Sequence, residues 1–436
     1  MVVFICLTAM AVWSAFFLRR SDFGLVAVHF SLFFLFYGYI LHHWTRFHPV
    51  VLLSLGLVLR LIFLGGPPLL SEDAIRFIWD GRLLLHGFHP FSYTPREWVA
   101  LGHSIPGLEP ALLTAMNSAN FHTVYPPMSQ LIFWVAAVVS PVSVAGGIGM
   151  LKLFLLLAEC GVLVLLVRLY GRYAAAIYWL NPLVLVEVMG NAHFEGLMLA
   201  FFLLGWWHMR RGWWRLAAWW IALSVATKLV TLLFLPVLWA YLGWRRGFIF
   251  CLFTGIFSLV FFIPLLDAGL LEHLAGSLGL YFQHFQFNAS VYYLVEWLVW
   301  LRTGWTQGAL FAPLLALVVV LLAGWIAWNT AGIGRRGRFT PEDGMVWCCC
   351  CYLFFSSTVH PWYVLLPMGI SVGSRRWQFP VIWSAVVWVS YSHYSGGAFR
   401  EQVGWIIFEY AVVLVGVGYE WWRGRSALSF EGNISG

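Results

Sequence analysis

The sequence predicts an all-α, polytopic membrane protein, and three observations predict it. Of 436 residues, 61% are hydrophobic and 10% charged, with a mean hydropathy of +0.82, a balance that no water-soluble domain of this length sustains. Apolar runs of bilayer length recur from end to end. The 27 Trp and 17 Tyr suit the aromatic belts of membrane–water interfaces. The net charge of +7 is compatible on its face with a nucleic-acid partner, but the arginines lie mostly in short connections between apolar runs. Lysine occurs only as Lys152 and Lys228, so the charge reads as topology and no nucleic-acid partner is expected.

Taken in order, apolar runs at about 1–18, 23–42 and 49–65 read as N-terminal transmembrane helices. The first lacks a basic start and a convincing cleavage site, so it reads as a retained helix. Residues 66–127 are the longest polar interruption and the candidate catalytic loop, with short amphipathic helices expected along the membrane surface. The loop ends in FHTVYPPMSQ, where two prolines and Tyr125 mark a rigid entry into the next run. Residues 128–436 read as a helical bundle without a separate soluble domain. Its spans fall near 148–167, 174–190, 195–209, 215–227, 229–243, 248–266, 308–329, 345–357, 362–373, 378–394 and 403–422. Several are shorter than the ~20 residues a perpendicular span needs, so tilted, broken or half-length helices are expected. The runs 128–146 and 289–302 stay open between spanning and lying at the surface. The whole amounts to about 12–15 spans.

Orientation follows from arginine. Arg168 and Arg172, Arg210, Arg211 and Arg215, Arg245 and Arg246, Arg335, Arg336 and Arg338, Arg375 and Arg376, and Arg423 and Arg425 occupy every second connection, which the positive-inside rule makes cytoplasmic. The alternate connections then lie outside. They carry NAHFEG (191–196), Lys228, QHFQFNAS (283–290), HPWY (360–363) and Arg400 with its neighbours to 402. Parity adds 66–127 to that side if just one run between 128 and 170 crosses fully; the Arg19–Arg20 pair opposes the assignment for the first connection.

The polar motifs therefore converge on one face. In LLSEDAIRFIWDGRLLLHGFHPFSYTP (69–95), Ser71 can cap a helix whose first turn holds Glu72 and Asp73. Asp73, Arg76 or Phe77, and Asp80 recur at helical spacing on one face. Ionisable groups beside a membrane are costly and usually functional; the plainer alternative is that the acids complement the helix end while Arg76 pairs with Asp80. Carboxylates (Glu72, Asp73, Asp80, Glu195), imidazoles (His122, His193, His360), aromatics (Tyr125, Trp362, Tyr363) and cations (Arg76, Lys228, Arg400) meet there. A carboxylate within reach of an alcohol acts as a general base, and a cation holds a departing phosphate. Lys228 reads as the tip of a short hairpin, where snorkelling to headgroups is the alternative. The seven cysteines sit inside apolar segments as small hydrophobes, so neither a disulfide framework nor a metal site is expected. No phosphate-binding glycine loop is visible, so any sugar donor should be carried on lipid.

The run SEDAIRFIWDGRLLLHGFHPFSYTP followed by TVYPPMSQLIF resembles the first outer loop of the GT-C superfamily of integral-membrane glycosyltransferases, and most nearly that of bacterial polyprenyl-phosphate-mannose-dependent mannosyltransferases. NPLVLVEVMGNAHFEG, ATKLVTLLFLP and TVHPWYVLLP resemble later motifs of that family, in unchanged order from about residue 60 to 400. The resemblance implies Asp73 as general base with Glu72 as partner or substitute, since many relatives have Asp-Asp where this chain has Glu72–Asp73. Glu195 stands where many have Asp. The resemblance further implies a polyprenyl-phosphate sugar donor, mannose by likeness, inversion in a single displacement, and no divalent metal or other cofactor. Lys228, Arg400 and His360 are then expected to hold the donor phosphate. Arg76, Asp80, His122, Tyr125, His193, Glu195, Trp362 and Tyr363 are expected to bind sugar or acceptor, a hydroxyl on a glycan, glycolipid or protein. The expected location is the bacterial inner membrane, among lipids, with the active face toward the periplasm. The alternatives are a transporter or lipid-linked sugar flippase, or a ligase or polymerase using lipid diphosphates.

Overall fold

The computed structural model describes residues 2–266, 285–306, 308–374, 376–396 and 399–432, with the side chains of 309 and 425–432 left aside. Gln283 and His284 of the QHFQFNAS motif, Arg375 and the Arg425 side chain fall outside this description. Among the described residues the chain is helical, with three isolated β-bridges. Five helices are long and apolar enough to cross a bilayer unaided: Phe23–His42, Val144–Tyr170, Trp244–Leu265, Leu310–Asn329 and Val403–Gly424. Their outward residues, such as Leu310, Leu314, Leu317 and Leu321, are exposed and apolar, as lipid-facing helices require.

The other passes expected from the sequence are short or broken, and the breaks have local causes. Arg172–Trp179 and Pro182–Gly190 form one bent pair with a 51° angle. Pro182 cannot continue the first helix, and the Asn181 side chain restarts the second by accepting the backbone N–H groups of Leu183 and Val184. Residues Leu185–Gly190 then take a π-helical turn. Val2–Phe16, Pro49–Leu64, Pro127–Val139 and Leu229–Leu242 are shorter apolar helices.

Connections gather at two ends. At one, Tyr170 donates to Glu342 at 3.0 Å, Arg210 lies 3.7 Å from Glu342, and the Ile333 N–H bonds the Tyr241 carbonyl at 2.8 Å. At the other, Asp73 meets Tyr125 and His193, Lys228 meets Glu195, and Phe287 packs on His360. The arginine-bearing and motif-bearing connections thus separate as the alternation predicts.

Packing bears on the run 128–146 and on the side of the first connection. Pro127–Val139 lies along Asp73–Leu85, the contact being close because Gly81 has no side chain: a Cβ there would stand 2.2 Å from the Phe133 carbonyl oxygen. Arg82 then donates to the carbonyls of Gly107 and Val142, so the chain beyond this short helix stays at the motif end and the 27-residue helix Val144–Tyr170 makes the crossing. The second correction concerns Arg19–Arg20. Arg20 pairs with Glu72, which places the first connection at the motif end; these arginines do not mark the arginine-rich end.

The interior charges of Arg60, Glu159 and Lys152 are committed to protein partners. Arg60 and Glu159, both wholly buried, pair at 2.6 Å; Arg60 also donates to the carbonyls of Gly56 and Trp179, and Glu159 accepts from Tyr178 at 2.7 Å. Lys152 donates to the carbonyls of Phe63 and Gly66 at 3.0 and 2.6 Å, satisfying a helix end that would otherwise face apolar surroundings. This network ties Pro49–Leu64, which leads into the 66–127 loop, to the long crossing helix.

Candidate active site

A cavity of about 490 Å³ sits at the motif end. Asp73 opens the helix Asp73–Leu85, its N–H bonded to the Ser71 hydroxyl at 3.3 Å, so the helix begins one residue later than the sequence suggests and Glu72 becomes its cap. The Asp73 side chain, one-fifth exposed, faces the cavity and accepts from the Tyr125 hydroxyl at 3.3 Å. Arg76, which shares a helix face with Asp73, is spent elsewhere. It pairs with Asp80 at 2.7 Å and donates to the carbonyls of Ser118 and Phe121. Asp80 is wholly buried, accepts also from Gln130 at 3.1 Å, and does not line the cavity. The plainer reading of that pair holds: it pins the 117–123 strand of loop against the helix.

Burial is the main influence on Asp73 and raises its pKa; Lys228 is the largest opposing pull, followed by hydrogen bonds from Tyr125 and Asn117 and the charge of Arg20. Glu72 points the other way. It is held by Arg20, is more than a third exposed, and does not line the cavity.

Lys228 ends the helix Trp214–Thr227 in an extended conformation, and a 3-10 turn, Leu229–Phe234, follows. Its ammonium pairs with Glu195 inside the cavity, four-fifths buried, so it does not snorkel to the membrane surface. Glu195 opens the preceding helix, Glu195–Arg210; its second oxygen, buried, has no hydrogen-bond partner among the described residues. The 3-10 turn supplies an apolar flank to the cavity through Leu229, Val230, Leu232 and Leu233, faced by Cys349 and Leu353.

The third wall is an aromatic stack. His193 lies 3.8 Å from Trp362, and Trp362 lies 4.4 Å from His360, each pair near-parallel. His360 in turn packs on Phe287 at 4.4 Å. Burial, then the charge of Lys228, lowers the His360 pKa to about 3; the same causes, with His360 added, push His193 well below its usual range. Both imidazoles are neutral at physiological pH. His193 itself stands behind the cavity wall, its Nδ1 4.0 Å from Asp73 and its Nε2 3.5 Å from Glu187.

Of the residues expected from sequence, Asp73, Arg76, His122, Tyr125, Glu195, Lys228, His360, Trp362 and Tyr363 line the cavity. Glu72, Asp80 and His193 stand behind or beside it. Arg400 is exposed and does not line the cavity; its backbone N–H bonds the His393 carbonyl, just before the helix that starts at Val403. Two contributors escaped the sequence reading. Arg20 lines the cavity although it reads as a topological arginine, and Glu187 is an acid inside an apolar run that accepts from Tyr391 at 2.5 Å and Asn191 at 3.0 Å.

Residues 17–243 match the family model for the N-terminal domain of alpha-(1->6)-mannopyranosyltransferases, the MptA_B family. The chain belongs to this family. No match emerges among curated proteins. As a mannosyl-transferring glycosyltransferase, the protein carries Arg20, Asp73, Tyr125, His193, Glu195 and Lys228 inside the matched region, while the stack residues Trp362 and His360 come from beyond it. The mannosyltransferase thus completes its cavity with the C-terminal half of the chain.

Proposed function

We propose that this mannosyltransferase moves mannose from a polyprenyl-phosphate donor to an acceptor hydroxyl at the outer face of the membrane, inverting the anomeric centre in one displacement with Asp73 as general base. The observation that carries the reading is the setting of Asp73: of the two carboxylates that line the cavity, Asp73 and Glu195, it is the one not held in a direct ion pair with a lysine or arginine among the described residues. Glu195 is bound to Lys228, Glu72 to Arg20 and Asp80 to Arg76. Its raised pKa favours proton uptake, since a base works best when its pKa approaches the working pH.

The donor divides along the cavity. Its phosphate sits at Lys228, which keeps N–H groups beyond the one given to Glu195, and its polyprenyl chain follows the apolar flank of Leu229–Phe234. The phosphate leaves already ionised, so no acid is required on that side, and a fixed cation lowers the barrier by stabilising the charge that develops. Trp362, in the cavity lining, offers a flat apolar face to the sugar. Asp73 takes the acceptor proton as the new glycosidic bond forms.

The test is incubation of purified protein with a panel of labelled polyprenyl-phosphate sugars, scoring transfer and hydrolysis separately. Turnover of polyprenyl-phosphate mannose above the other sugars is the expected result; turnover only with a nucleotide sugar would sink the reading.

A further inference from the structure

Beside the catalytic cavity a second concavity, of about 470 Å³, opens at the same end of the molecule. Arg19, Arg20, Ser21, Pro68, Leu69 and Tyr394 wall it. Arg20 and Tyr394 line both hollows, so the two share a wall. The Arg20 guanidinium carbon lies 4.2 Å from the centre of the Tyr394 ring while the same side chain pairs with Glu72. Arg19 is exposed, and its side chain has no hydrogen-bond or ion-pair partner among the described residues. The charged side chains that line the hollow are thus two guanidinium groups; Glu72, held by Arg20, and Asp22 and Asp73 stand outside its lining, and Arg19 is left without an ion-pair partner among the described residues.

Placement makes the unpaired guanidinium of Arg19 informative. These arginines stand at the end opposite most arginine-bearing connections, so they do not serve as topological anchors. Next to them Phe16, the last residue of the helix Val2–Phe16, and Phe17 just after it are 43% and 61% exposed, an apolar rim of the sort that sits in a bilayer at headgroup depth. Paired guanidinium donors match phosphate oxygens better than any other common anion at that depth.

We propose that this side cavity binds the phosphate group of an anionic lipid, as a site separate from the donor-phosphate position at Lys228. Only its separateness rests on the catalytic reading above. A phosphate seated there is gripped by Arg19 and shares Arg20 with Glu72, with the Ser21 hydroxyl as a further donor. The lipid chain leaves over Phe16 and Phe17. The ligand is therefore a phosphomonoester or phosphodiester carrying net negative charge.

The full-length protein in neutral detergent is titrated with short-chain phosphatidic acid, with phosphatidylcholine of equal chain length, and with inorganic phosphate at matched ionic strength, following thermal unfolding. A saturable rise in Tm is expected with phosphatidic acid, larger than with phosphatidylcholine. Arg19→Gln should raise the half-saturating concentration about 10-fold, the scale of one lost charge-assisted contact. Arg19 has no partner to lose, so this variant stays interpretable even where Arg20→Gln weakens the fold. Lys228→Ala and Asp73→Asn, which probe the catalytic reading, should leave the titration unmoved. An Arg19→Gln curve that overlays wild type overturns the site. So does a response lost in Lys228→Ala but kept in Arg19→Gln. A response to inorganic phosphate equal to that with phosphatidic acid, and dependent on Arg19, overturns the lipid source while keeping phosphate recognition.

Discussion

At the scale of the residue, Asp73 is set apart by what its neighbours already hold. Asp73→Asn keeps size and removes basicity, so mannosyl transfer should fall ~10²-fold or more with little change in stability, checked by initial rates beside a thermal melt. Glu72→Gln should be milder, because Glu72 faces Arg20 and not the cavity. The pH dependence follows from the raised pKa of Asp73: a base works deprotonated, so kcat/KM should fall as pH drops through a value above the ordinary carboxylate range. Arg20→Gln removes a charge that pulls that pKa down, so the acid limb should move to higher pH; a limb that stays in place would detach Arg20 from the base. Lys228→Ala should cost ~10²-fold or more in turnover, the scale of losing a charge-stabilising group, with expression intact. Asp73, Lys228, Glu195, His360 and Trp362 were legible from sequence because a charged or aromatic residue at the edge of an apolar run stands out. Arg20 was not, because an arginine between two apolar runs looks the same whether it anchors topology or reaches a site. The commitment of Arg76 to Asp80 and two loop carbonyls was likewise invisible, since those carbonyls come from about forty residues downstream.

At the scale of the element, short and broken helices position the site. The sequence reading foresees such breaks from span length alone, and the bent pair before His193 is one of them. It does not foresee the π turn Leu185–Gly190, which carries Glu187 to within 3.5 Å of His193, because apolar patterning is the same for α and π winding. Nor does patterning reveal that Pro127–Val139 lies alongside Asp73–Leu85; that depends on Gly81 lying against the Phe133 backbone. Gly81→Ala should therefore separate the two helices, lowering stability by about 1–3 kcal/mol, the usual cost of overpacking. Because Asp73 and Tyr125 meet at the adjoining N-terminal ends of this pair, activity should fall more than stability predicts. Recovery of full turnover in a well-folded Gly81→Ala protein would show that the pair tolerates the shift.

At the scale of the whole molecule, the arrangement requires that all site-bearing connections face one side of the membrane. Arginine alternation made most of this legible, because each crossing flips the chain and charge bias accumulates over many short connections. The exception was the first connection, where the rule points the wrong way and the Arg20–Glu72 pair decides. Ser104 is exposed in the 66–127 loop, and Arg336 is exposed in the connection whose Ile333 bonds Tyr241. Single cysteines at these two positions, in a background whose own cysteines sit within helices, should label on opposite sides in intact cells. Ser104→Cys should react with a membrane-impermeant maleimide added outside, and Arg336→Cys only after the membrane is opened. An Arg19→Cys variant should behave as Ser104→Cys does, against the charge rule. The reverse pattern at Ser104 and Arg336 would put Asp73 on the cytoplasmic side. A lipid-carried donor at the outer face would then be excluded, and the catalytic reading would fall with the topology, whereas the phosphate hollow walled by Arg19 and Arg20 would simply move to the other leaflet.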